Sequence, residues 1–347
     1  MAIRPRCTRV ALSYNIQTDY TTALADAKIN KVFEPIDPIV PTVEIERFND
    51  GDILKPVEWP ESTDVIVGQS VNIPFNFPLS SELAGMLLAN AMGTYSVTGT
   101  AAPYTHTIKP VLPCASGSSD QLPATGVIMG APSDTNSILK FKGVIPNDLT
   151  ITADNRNRAT ISGTLYTDGE VTYATSYTFA APESVKHIAG RMADFKIADH
   201  GSEPTSKSTV LMSATFSYNN NLNVDDARAL LAYPTDSRYL GQLRFGEREI
   251  SMTVKVNAHP ASDEVFWTDF INAKMKVAVL SFTYDTNNTI EIKFPKCKIT
   301  AVTAGFDGIR DTLELTLTPF YDSTTGVTAP VVVTIKNSVS GYQLAAS

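Results

Sequence analysis

The sequence predicts a mainly β protein: two tandem β-sandwich or barrel domains, each with one short α-helix, preceded by an N-terminal arm. Three observations carry this. In residues 289–335, Ile290, Ile292 and Phe294 alternate with Glu291 and Lys293, and Leu313, Leu315 and Leu317 alternate with Glu314, Thr316 and Thr318. Period two marks strands with one wet face. Residues 137–179 replay that order, with TLYTDGEVTYA aligning to TPFYDSTTGVTAP. Each of these β units also follows a strand and a single helical stretch.

Taken in order, residues 1–40 read as an arm. A short strand at 10–14 is followed by Pro35, Pro38 and Pro41, which break any longer element. Packing on a neighbour would order such an arm, with Val10, Leu12, Tyr14 and Tyr20 as its contact residues. The first domain is expected at 41–182. Its strand 43–48 enters a loop at 49–62 and resumes as strand 65–77, where Pro74 implies an edge or a bulge. Ser80 suits a helix N-cap, Glu82 the first turn, Leu83, Met86 and Leu87 one face, and Gly93 the stop. Residues 95–133, rich in Gly, Ser, Pro and Thr, read as an inserted loop with strand only at 105–109 and 127–129. A linker at 183–208 separates the halves.

The second domain, 209–347, repeats the order: strand 209–218, connector 219–241, strand 245–257, then a helix capped by Ser262. Phe266, Trp267, Phe270 and Ile271 form its expected buried face, and Lys274 and Lys276 its cationic end.

Composition narrows the function. With 347 residues, 43% apolar, the chain has room for two cored domains. Its 28 Lys plus Arg against 36 Asp plus Glu give a net charge of −8, which excludes a phosphate-binding surface of the usual basic kind. No apolar run reaches the ~20 residues of a membrane span, and no secretory signal is read. Cys7, Cys114 and Cys297 are odd in number and far apart, unlike a disulfide framework. His106, His187, His200 and His259 have no partner at metal-ligand spacing, and no phosphate-loop or nucleophile-elbow motif occurs. No catalytic, metal or cofactor site is expected; the chain does not read as an enzyme.

What remains is contact. The loops 49–62 and 219–241 occupy equivalent places and carry Ile53, Leu54, Val57 and Trp59 in one, Leu222, Val224, Leu230, Leu231 and Tyr233 in the other. Repetition favours burial in another subunit; folding back over their own sandwich is the alternative.

At this point the chain resembles the major tail tube proteins of long-tailed bacteriophages. The opening RVALSYNIQTDYTTALADAKINKVFEPIDP, the single helices SSELAGMLLANAMG and ASDEVFWTDFINAK, and the duplication carry the resemblance, which is to members fusing two tube domains in one chain. It implies a structural virion protein without cofactor, assembled in the host cytoplasm. Copies would form rings whose inner sheets join as one barrel, stacked into a hollow tube that delivers DNA. Six tube domains per ring imply a trimer with pseudo-sixfold symmetry, six chains being the alternative. The two apolar loops and the arm would make ring-to-ring contacts, and other tail proteins would cap the ends. DNA would pass without specific binding, repelled by lumen carboxylates over a Debye length of ~8–10 Å, and no membrane insertion is implied. The rivals are another tail ring protein (a terminator or hub) and a two-domain carbohydrate or cell-surface binding module, for which Trp59 and Trp267 are too few and too far apart.

Overall fold

Alternating sequence becomes antiparallel ladders along nearly the whole chain. The computed structural model describes residues 9–345 apart from 21, 50–63, 113–121, 131–137, 175–176, 207–210, 224–243, 258–259, 307–310 and 323–328. The first half comprises β1 (Arg9–Leu12), β2 (Lys31–Phe33), β3 (Thr42–Asn49), β4 (Asp64–Pro78), α1 (Ser81–Met92), β5 (Gly93–Thr98), β6 (Tyr104–Pro110), β7 (Thr125–Gly130), β8 (Ile138–Asp154), β9 (Thr160–Tyr166) and β10 (Thr172–Ala174). The second comprises β11 (Ala193–Asp199), β12 (Thr205–Ser206), β13 (Leu211–Asn219), β14 (Leu222–Asn223), β15 (Arg244–Phe245), β16 (Glu249–Asn257), α2 (Pro260–Ile271), β17 (Lys276–Asp285), β18 (Asn288–Phe306), β19 (Asp311–Pro319) and β20 (Val332–Asn337).

The duplication holds at the level of strand pairing. Hydrogen-bonded neighbours run β3–β4–β9–β8 in one half and β13–β16–β19–β18 in the other. Strands β7 and β10 flank the start of β8 as β17 and β20 flank the start of β18. Even the irregularities repeat. The β8–β9 ladder slips between Pro146 and Asp148, just past the Pro146–Leu165 pair, and β18–β19 slips between Ile299 and Ala301, just past Ile299–Leu317.

Three expectations change. The arm is not separate: β1 lies between β2 and β7, and Val10 and Leu12 are buried. Its counterpart is β11, which lies on β17 inside the expected linker. The stretch 95–133 is not an inserted loop: the strands expected at 105–109 and 127–129 are β6 and β7 of the sheet, and β5 joins them. His106 and Ile108 alternate inward, and β6 pairs with β20, setting Ile108 opposite Val333. Pro74, by contrast, sits where, among the described strands, β4 is laddered only to β9, so its missing N–H is not needed.

One apolar core runs through both halves, including Phe75, Phe77, Phe216, Phe282 and Phe294. Helix α1 has the predicted cap, Ser80 Oγ accepting from Leu83 N at 3.3 Å. It stops at Gly93, whose φ of 86° favours glycine. It is buried nearly all round because β5, β6, β8 and β20 surround it. Helix α2 starts at Pro260, ahead of the expected cap Ser262. Phe266 and Asp269 are buried and Phe270 half-buried, whereas Trp267 and Ile271 are exposed, since α2 packs on β18 and turns the Asp269 stripe inward. The carboxylate of Asp269 pairs with buried Lys276 and lies 3.7 Å from Lys274, and both lysines also reach Asp199, at 2.6 and 2.8 Å.

Candidate assembly interface

Two ladders join the repeats, β6–β20 and β8–β13, and the second makes one continuous sheet of them. The second half of β8 pairs with β9 on one side and with β13 on the other, over seven residue pairs from Ser213–Asp154 to Asn219–Asp148. The result is a continuous run β3–β4–β9–β8–β13–β16–β19–β18. One face is core: Leu149, Ile151 and Ala153 on β8, and Ala214, Phe216 and Tyr218 on β13, are all buried. The other face carries hydroxyls, among them Thr150, Thr152, Thr215, Ser217, Thr253 and Thr316, all half-buried. Thr253 and Thr316 face each other across strands at 3.5 Å. Asp148, Asp154, Glu249 and Glu314 are among its carboxylates, and Lys255 lies opposite Glu314.

Both ends of this run are open among the described residues. β3 pairs only with β4, and β18 beyond Ile299 pairs only with β19. The shared register sets Val302, Ala304 and Phe306 at the positions of Leu149, Ile151 and Ala153. The β8 residues are buried, but Ala304 is exposed and Phe306 is 68% exposed. At the other end Val43 stands opposite Val71 as Tyr218 stands opposite Ile250. Tyr218 is fully buried, while Val43 and Ile45 are each 44% exposed. Unpaired edges with uncovered apolar side chains are templates for another strand. The bulge at Glu46 and Arg47, with Pro38 and Pro41 just upstream, restricts what can add there.

The family described as phage tail tube protein matches the chain over residues 9–336. The chain belongs to that family. No curated protein matches it. As a phage tail tube protein it is a structural component of the virion tail, and its two fused repeats account for the length of the match.

For this tail tube protein the expected contact residues divide. Ile53, Leu54, Val57, Trp59, Val224, Leu230, Leu231 and Tyr233 lie outside the described residues. Leu222 is buried with Leu122, Ala124 and Ile145, covering its own sandwich. Val10 and Leu12 are in the protomer's core, and Tyr14 packs edge-on against Tyr342 at 5.3 Å, so these arm side chains are already engaged within the chain. Tyr20 is half-buried against the Leu222 cluster. Sequence reasoning missed the edge residues Val43, Ile45, Val302, Ala304 and Phe306. Their signal is comparative: strand-alternating apolar residues whose counterparts in the other repeat are buried.

Proposed function

We propose that the chain is the polymerising subunit of a phage tail tube, its copies joining head to tail into rings that stack around a channel for DNA. One observation carries the reading: the open ends of the eight-strand run are the two halves of the junction the chain already makes between β8 and β13. A second copy offers β3 to β18 as β13 is offered to β8. Because the ends differ, the contact is heterologous, and a constant rotation per step closes it into a ring. Two repeats per chain make three chains the ring of six units.

The hydroxyl face is the one left for the channel. Hydroxyls bind water and one another, Lys255 is set opposite Glu314, and the remaining carboxylates repel phosphates. That combination lets DNA slide.

Negative-stain electron microscopy of the purified full-length chain across a concentration series tests this. Hollow rings or tubes of uniform diameter are expected. A monomer at every concentration, or filaments without a channel, would overturn it.

A further inference from the structure

We infer that Phe306 of one copy is the lock of the ring seam, in register with buried Ile39 of the next copy and reaching into the cavity that Ile36 lines at the end of β4. This rests on the ring reading above and adds its register, its anchoring side chain and its receptor.

The register follows from the duplication. Residues 36–44 run beside β4 where β13 runs beside β16: Ile36 N donates to Asn76 O at 2.8 Å, and Asn76 Nδ2 donates to the Asp37 carboxylate at 2.6 Å. Within the chain, Leu149 faces Tyr218 and Ala153 faces Ala214. Carried to the seam, those pairs become Val302 with Val43 and Phe306 with Ile39. Phe306 then points to the core side, as Ala153 does.

Size distinguishes the seam from its template. The internal pair is alanine against alanine, both buried and closed over. A phenylalanine opposite an isoleucine needs far more room, and the structure has room there. A cavity of about 330 Å³ opens at the end of β4, with Phe33, Ile36, Phe77 and Leu83 on its apolar side and Glu34, Arg158, Glu183 and His187 on its polar side. Phe306 of the same chain cannot fill it, since β18 lies at the opposite end of the run. Pro38 and Pro41 bring no backbone N–H to this ladder, so the seam leans on its side chains more than the internal junction does. A buried aromatic anchor in a preformed pocket is the usual energetic centre of such an interface.

The test uses the full chain with Cys7→Ser and Cys114→Ser. Cys297 can stay, because it is buried and burial pushes its thiol up to about 12. Adding Val43→Cys and Val302→Cys should give disulfide-linked chains on oxidation, since antiparallel partners lie within disulfide reach. Shifting one site to Ala304→Cys should cut the yield at least about tenfold. Phe306→Ala should melt as the wild type does yet need roughly 30-fold more protein to form rings, and Phe306→Leu should recover most of the loss. Rings that form without the Val43–Val302 link, or that form from Phe306→Ala at wild-type concentration, would overturn the lock and leave the ring standing. Absence of rings from the wild-type chain would overturn both.

Discussion

His106 sits where the first repeat reaches across to the second, and its hydrogen bonds fix its charge. Nε2 lies 2.9 Å from Asn337 Oδ1, which also accepts from Val339 N, so Nε2 carries the proton. Nδ1, 3.0 Å from the Tyr95 hydroxyl, is then the acceptor of a neutral ring. Burial holds its pKa below the ordinary histidine value, and burial with nearby Arg158 does the same to His187. The unfolded chain therefore takes up protons near pH ~6.5 before the folded one does. Stability is full above that pH and declines as pH falls through it toward the folded pKa. The melting midpoint should drop between pH 7.5 and 5.5, and His106→Gln should flatten part of that drop; an unchanged profile would mean His106 titrates normally. Gly85 is a second residue-scale constraint. A Cβ there would lie 2.5 Å from the Tyr342 ring, which is buried and whose hydroxyl accepts from Asn337 Nδ2 at 2.6 Å, so it has no room to swing aside. Alanine gains about 1 kcal/mol of helix propensity, but overpacking costs about 1–3 kcal/mol. Gly85→Ala should therefore lower stability in a urea titration.

At the scale of elements, the β5–β6 hairpin is a strap. Val333 and Ile335 on β20 are buried, and β6 is their outer partner on that ladder. Replacing residues 95–109 with a short turn should uncover that edge and split one calorimetric transition into two, since the hairpin ties the repeats together beyond the β8–β13 ladder. A single transition at the wild-type temperature would show the hairpin to be ornamental. The same hairpin shows where sequence reading stops. Ser80, Gly93 and the alternation of β18 and β19 act locally, so their elements were legible. Residues 95–104 read as loop because Gly, Ser and Thr have weak local preferences; β5 becomes strand by pairing with β6, and β6 is held by β20, more than two hundred residues away. Likewise, spacing alone put Trp267 and Ile271 on the buried side of α2, whereas the Lys276 pair draws Asp269 inward and turns them out. The candidate site was legible in kind, as self-association. Its residues were not, because an edge is defined by the strand that is missing beside it.

For the whole molecule, the repeats are alike in pairing but not in dress. The hairpin belongs to the first repeat: β20 is covered by β6, whereas its counterpart β10 pairs, among the described residues, only with β8, and Tyr173 there is 76% exposed. A ring of three chains thus carries six similar inner units with a hairpin on every second one. Sixfold order in the inner wall should coexist with threefold order around it. End-on class averages of rings should show six inner lobes with alternating outer density, and mass photometry should give three times the 37.5 kDa chain. Six chains per ring would double the mass and restore true sixfold symmetry. A mass of two chains would mean that like edges meet, β3 with β3 or β18 with β18; that contact buries both of its surfaces and cannot propagate. The unlike character of the two edges, Phe306 at one and the prolines with the cavity at the other, is what makes the closed ring the expected outcome.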